Sequence, residues 1–261
     1  MHNKNLKNIF WWFIISVGIV ILYLPLLANL IFSFHQRQFI SYTLECCTFQ
    51  WWKGALADPL FISTIFNSIL LGLLSSFFAI LIGLGMGFFL YRIPAVRNRL
   101  LFFLFIPAIT PPLLAAFIFL LTQNFMQINP SLLYVMFAHV AVFSPIVVIL
   151  LLNKFLTLNP DLESASKNLG ASTFQSFRSI FVPLLFTEIV GTFLIVLLMS
   201  WNEFTIVWFV GGTQKTLSVA IWTMLGSQVT PEAYAIGSFL TIISIIIAAI
   251  GLKIYRIKEI L

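Results

Sequence analysis

Between Leu100 and Asn153 the chain runs for 54 residues without one Asp, Glu, Lys or Arg. A soluble domain carries about 25% charged residues; here the whole chain carries 8%, with 61% apolar residues and a mean hydropathy of +1.06. Such a chain cannot cover a water-facing surface of its own size. A soluble enzyme, a disordered chain and a secreted disulfide scaffold are excluded, and the bilayer is the solvent for most of these residues.

One spanning helix takes about 20 apolar residues, so the uncharged run must be divided. The polar stretch from Gln123 to Ser131 divides it into helices at about 100–121 and 132–155. The first of these holds Pro107, Pro111 and Pro112 and is expected to be kinked. Four more spans follow from the same test, at about 9–34, 64–91, 184–210 and 234–252. The first is too long for a signal peptide and lacks a small-residue cleavage site after it. Gly83, Gly85 and Gly87 in the second would let a neighbouring helix come close. Residues 35–59 and 211–233 read as loops, and residues 156–183 form the most polar internal segment.

Six spans place both termini on one side. Eleven of the 14 Lys and Arg residues then fall on that side and three on the other, which makes the terminal side cytoplasmic. The formal net charge of +6 reflects these clusters; nucleic-acid binding would need a continuous basic surface. Cys46 and Cys47 are adjacent, and a bridge between neighbours is strained. Two ordinary thiols are expected there, with no metal, because nothing nearby completes four ligands. No Gly-x-x-x-x-Gly-Lys-Ser/Thr loop, His-Glu-x-x-His or Gly-x-Ser-x-Gly is present, so neither nucleotide binding of that type nor an intramembrane enzyme is indicated. An ion-coupled secondary transporter would show inverted repeats, and none is evident.

The segment 156–183 carries the most local information. Asn159 can cap a helix that begins at Pro160. Asp161 and Glu163 fall in its first turn, where the helix dipole favours negative charge. Leu162, Ala165 and Leu169 are expected on one face, and Gly170 suits the left-handed position that ends a helix. Ser172 and Gln175 form a capping box for a second helix, with Phe174, Phe177 and Phe181 as its apolar face and Pro183 as its limit. Two short helices bent at Gly170 result.

This segment resembles the cytoplasmic loop of ABC importer permeases, whose pattern is Glu-Ala-Ala, then Gly, then Ile-x-Leu-Pro. Gly170-Ala171-Ser172 and Ile180-Phe181-Val182-Pro183 stand at the family spacing. Counting back from Gly170, the family's glutamate position holds Ser164, followed by Ala165 and Ser166, and Glu163 lies one residue early. Tyr23-Leu24-Pro25, Ser33-Phe34, Leu217 to Trp222 and Thr230-Pro231-Glu232-Ala233 are similar to the spermidine/putrescine-type permeases; permeases for ferric iron, phosphonates and thiamine share much of this.

The resemblance implies an all-α integral membrane protein with the ABC type I (MetI-like) importer permease fold, a single permease domain in the cell inner membrane. It implies a non-catalytic subunit that forms half of a pore and holds no cofactor. ATP and Mg would be bound by a partner ATPase dimer. The other partners implied are a second permease, most simply a related but different chain, and an extracytoplasmic solute-binding protein. Asp161, Leu162, Glu163, Ser164, Ala165, Leu169, Gly170 and Ala171 would couple the pore to the ATPase. Whether Glu163 or Ser164 does the family glutamate's work stays open. Trp201, Asn202 and Glu203 in span five are the candidates along the substrate path, since a carboxylate beside an indole suits a polycation. Glu188, near the edge of that span, is expected to be solvated or to pair with a loop cation. His139 in span four is expected to be a hydrogen-bonded core histidine.

Overall fold

A computed structural model describes residues 2–37, 47–227 and 230–260. Helix follows helix along the chain: α1 (His2–Phe32), α2 (Gln50–Ala57), α3 (Pro59–Arg92), α4 (Pro94–Ile109), α5 (Pro112–Phe125) and α6 (Leu132–Thr157). Then come α7 (Asp161–Asn168), α8 (Thr173–Ser176), a π-helical turn at Phe177–Phe181, and α9 (Val182–Leu184). The last four are α10 (Phe186–Asn202), α11 (Thr205–Val210), α12 (Leu217–Ser227) and α13 (Pro231–Ile260). Among the described residues four helices are long and apolar enough to cross a membrane, and six spans result if two bent pairs each count as one.

The chain divides into two compact units, Met1–Ile62 with Ala220–Ile243, and Ser63–Val219 with Ser244–Leu261. In the first unit α1 presents an apolar surface (Trp12, Leu22 and Leu24 are among its exposed residues) suited to lipid. Its far end is tied down by polar contacts. The Asn29 amide donates to Ser238 Oγ (3.1 Å), the Trp51 indole to the His35 carbonyl (2.8 Å) and the Trp52 indole to Ser33 Oγ (3.2 Å). Cys47 is disulfide-bonded rather than the ordinary thiol expected, and Cys46 lies outside the described residues.

The second unit is built on α6, whose buried face runs from Tyr134 to Phe155. Gly83 and Gly87 of α3 lie four residues apart and so share a face. A Cβ at Gly83 would collide with Val147 of α6, and one at Gly87 would touch Phe155 at 3.4 Å. Both glycines therefore allow close helix approach, whereas Gly85 has open space. Among the described residues the α6 core has three parts. Val135, Ala138, Ile206, Val207 and Val210 belong to one, Val147, Leu151, Phe155, Phe181, Leu185 and Val196 to the second, and Leu90, Val148 and Leu152 to the third.

The structure sharpens three expectations about elements. The kink expected in the proline-rich stretch is a 94° bend between α4 and α5. Pro107 is absorbed inside α4, and the break comes at Thr110, which is extended (ψ 127) before Pro111 and Pro112. A residue preceding proline is pushed out of the helical region, and two successive prolines remove two helix donors. The stretch read as span five is interrupted twice, with a 72° bend at Leu185 and a break at Glu203–Phe204. Pro183 has no N–H to give, and the turn ahead of it relaxes to a π-helix in which Val182 N–H reaches Phe177 O. Finally, residues 211–233 are not all loop. They contain α12, anchored by buried Leu217 and Val219 and by the Leu217 N–H, which donates to Ser68 Oγ at 2.8 Å.

Candidate functional site

Two places in the second unit concentrate polar groups, and the sequence singled out both. The first is the bent segment. Asn159 Oδ1 accepts from Asp161 N–H at 2.9 Å and caps α7. Gly170 has φ +84°, a conformation that only glycine adopts without cost, and its N–H donates to Lys167 O at 2.9 Å. Ser172 and Gln175 make both bonds of the capping box on α8. Each helix start is thus capped by a side chain, the end of α7 is closed by backbone N–H groups, and the bend between the helices is fixed by one backbone conformation.

The buried face of α7 is not the one expected. Leu162 packs against the α6 core and Ser166 is buried, while Ala165 is exposed and Leu169 is 89% exposed. Ser166 Oγ lies 2.6 Å from Ser176 Oγ, so two small hydroxyls let α7 and α8 meet where a larger apolar residue would hold them apart. Leu169, at the end of α7, is carried outward with the chain as it turns at Gly170. Phe174 is likewise 69% exposed, whereas Phe181 is buried and Phe177 packs against Phe88 at 4.8 Å between centroids.

Glu163 faces its own protein. Its carboxylate pairs with Arg92 Nε of α3 at 3.0 Å and with Lys167 Nζ at 2.7 Å, and its side chain is 14% exposed. Ser164, at the glutamate position of the family pattern, is exposed and donates its hydroxyl to Asp161 O at 2.8 Å. Arg92 also sits over the Phe88 ring at 5.7 Å. Arg92 was not among the candidate residues. It read as an ordinary member of a basic turn, and no local spacing pairs it with a residue 71 positions away.

The second place is the break between α10 and α11. Glu203 leaves the helical conformation (ψ 125), and its carboxylate then accepts from Ile206 N–H (2.9 and 3.1 Å) and Val207 N–H (3.4 Å) at the start of α11. Its Oε2 also lies 3.3 Å from His139 Nε2, and His139 Nδ1 lies 2.9 Å from Ser200 Oγ. His139 is fully buried, and Glu203 is 11% exposed. The ring thus bridges the Glu203 carboxylate at Nε2 and the Ser200 hydroxyl at Nδ1.

His139 is thus the hydrogen-bonded core histidine expected, and its partners are now named. An intramembrane His and an intramembrane Glu each need a partner, and that is the signal from which the pair could have been sought. Asn202 points its amide back to Leu198 O at 2.8 Å. Trp201 is buried, and its indole Nε1 has no hydrogen-bond partner among the described residues. Glu188 lies 4.0 Å from Lys154. Among the described residues no three His, Cys, Asp or Glu converge as metal ligands.

The described residues form helices, with two sharply bent helix pairs and a capped, bent segment between α6 and α10. The family model of the binding-protein-dependent transport system inner membrane component matches residues 79–259, and the chain belongs to that family, an inner-membrane component of an ABC importer. The spermidine/putrescine transport system permease protein PotC of Escherichia coli (strain K12) is 24% identical, covering 91% of this chain and 90% of the relative. The spermidine/putrescine permease PotB of Salmonella typhimurium (strain SL1344) is 27% identical, covering 83% and 81%. Among solved structures, the MetNI methionine ABC transporter in an inward-facing conformation matches with a TM-score of 0.66 at 18% identity, covering 76% of this chain and 95% of that one. A bacterial alginate ABC transporter with its periplasmic protein matches at 0.68 and 15%, covering 96% and 94%. These two matches speak for the fold.

Proposed function

We propose that this permease subunit forms half of the pore of an importer for a polyamine or another small cation, in the manner of the spermidine/putrescine permeases it is similar to. The observation that carries the coupling half of the reading is the bent segment. It is capped at both helices, turned at a single glycine and presents Leu169 and Ala165 outward. Asp161 through Ala171 would seat in a cleft of a cytoplasmic ATPase dimer that binds ATP and Mg. Closure of that dimer would pull the segment, and rigid caps would let the pull reach the spans. Arg92 would pass it to α3 through Glu163, so Glu163 ties the handle to the pore while Ser164 faces the partner.

A second permease, most simply a related chain, completes the pore, and a solute-binding protein delivers substrate on the other face. Both termini lie on the cytoplasmic side in this reading, and the chain itself does no covalent chemistry. Trp201, Asn202 and Glu203 sit where a span breaks. Non-helical backbone at membrane depth is tolerated only inside protein or beside a water-filled cavity, which favours the solute path for this stretch.

The test is ATP hydrolysis by the reconstituted complex with its binding protein, screened over spermidine, putrescine, ferric iron, phosphonates, thiamine and sugars. Stimulation by polyamines and by nothing else on that panel is expected. Stimulation by a sugar or an anion alone would replace the substrate class and leave the permease role intact.

A further inference from the structure

A groove of about 370 Å³ runs beside the last turns of α3. Gly85, Phe89, Arg92 and Ile93 line it from α3, and Thr173 and Phe174 from α8. The α3 positions recur at helical intervals, so one face of that helix looks into the space. From Gly85 to Arg92 the helix rises about 10 Å, at roughly 1.5 Å per residue. The groove is graded along that rise. Its Gly85 end is apolar, and a Cβ there would meet nothing within 4 Å. Its other end holds the Arg92 guanidinium and the Thr173 hydroxyl.

Three observations select the occupant. The first is depth. α3 is long and apolar enough to cross a membrane, and Arg92 stands in its last turn. The guanidinium therefore lies at headgroup level, and the glycine end lies among acyl chains, deeper than a soluble partner reaches. The second is exposure. Phe89 is 46% and Phe174 69% exposed, two aromatic rings left bare beside a groove that an acyl chain would fill. The third is charge. Among the described residues no acid lines the groove. The ion pair with Glu163 is made through Arg92 Nε at 3.0 Å, on a side chain that is 37% exposed, and the guanidinium carries further N–H donors on its terminal nitrogens.

We propose that this groove holds one anionic phospholipid, with its phosphate on Arg92 and Thr173 and an acyl chain laid along α3 as far as Gly85. A guanidinium fork matches phosphate oxygens in charge and geometry, and basic pockets between membrane helices take such headgroups. Glu163 draws on the same positive charge, so carboxylate and lipid phosphate are set against each other at Arg92. Removing the carboxylate strengthens the hold on the lipid.

The experiment is native mass spectrometry of the intact importer purified from vesicles of equal parts phosphatidylglycerol and phosphatidylcholine, reading the lipid retained per complex. The wild type is expected to prefer phosphatidylglycerol about fivefold, the ratio that one basic residue gives at an anionic surface. Arg92→Gln is expected to abolish the preference. Gly85→Leu fills the apolar end without touching a charge, and is expected to lower phosphatidylglycerol retention as far as Arg92→Gln does. Gly18→Leu, at an equally open position on α1, is the control and should leave retention unchanged. Glu163→Gln is expected to raise retention, which a purely structural Arg92–Glu163 pair would not do. Equal retention of the two lipids by the wild type overturns the proposal. So does unchanged retention in Gly85→Leu, an equal loss in Gly18→Leu, or retention in Glu163→Gln that stays level or falls.

Discussion

Glu163 and Glu203 are carboxylates of nearly equal exposure, 14% and 11%, and they are satisfied in opposite ways. Glu163 lies between two long cationic side chains at the end of the bundle that carries the bent segment. Glu203 is held by two backbone amides and a buried imidazole. Long, part-exposed cations are adjustable and are weakened by salt. Amides at a helix start and a ring wedged in a core have no such freedom. In the reading proposed above, the first arrangement suits a joint that must transmit a pull, and the second a helix break that must hold its shape.

The sharpest way to break this comparison is at the joint's hinge. Gly170→Pro cannot adopt φ +84° and deletes the N–H that meets Lys167 O. We expect membrane insertion to persist and uptake to vanish while ATP hydrolysis continues. Normal uptake in that variant would sink the lever account. Next in size is Glu203→Ala, which leaves the Ile206 and Val207 amides and the His139 ring short of an acceptor. A loss of about 2–3 kcal/mol is expected, read as a lower unfolding midpoint of the purified protein. Glu203→Gln keeps one acceptor oxygen, so it should lose less stability yet still weaken cation transport; unchanged transport would take Glu203 off the path.

His139→Gln tests the same cluster more gently. It retains polar atoms near Ser200 and Glu203, and a loss of about 1 kcal/mol is expected by the same measurement. The smallest effect belongs to Glu163→Gln. With Arg92 at 37% and Lys167 at 44% side-chain exposure, less than about 1 kcal/mol is expected, shrinking further in high salt. Its uptake per ATP hydrolysed should nonetheless fall, because the tie to α3 is cut. A large, salt-independent loss of stability there would mean that Glu163 is as rigidly held as Glu203, and the contrast would fail.

The part of the candidate site legible in the sequence is the part with a local cause. Asn159, Gly170 and the Ser172–Gln175 box act within four residues of themselves, and all three stand in the structure as their spacing requires. The apolar face of α7 was misread for the same reason in reverse. Leu162, Ala165 and Leu169 satisfy a helical period, but burial depends on what lies opposite. Opposite α7 are Ser176 and the α6 core, which take Ser166 and Leu162 and leave Leu169 outside. Pro107, Pro111 and Pro112 predict a kink, yet whether Pro111 and Pro112 give a gentle bend or a 94° turn depends on what α4 and α5 pack against.

By itself the sequence determined that the chain lives in lipid and where the bent segment caps and turns. Charge content, apolar run length and capping chemistry act over a few residues or over the whole composition, and both can be read in one dimension. Only the tertiary structure decided that Arg92 meets Glu163, that His139 bridges Ser200 and Glu203, and that Lys154 comes within 4.0 Å of Glu188. Those contacts join residues between 34 and 71 positions apart, and nothing along the chain specifies a partner until helices meet.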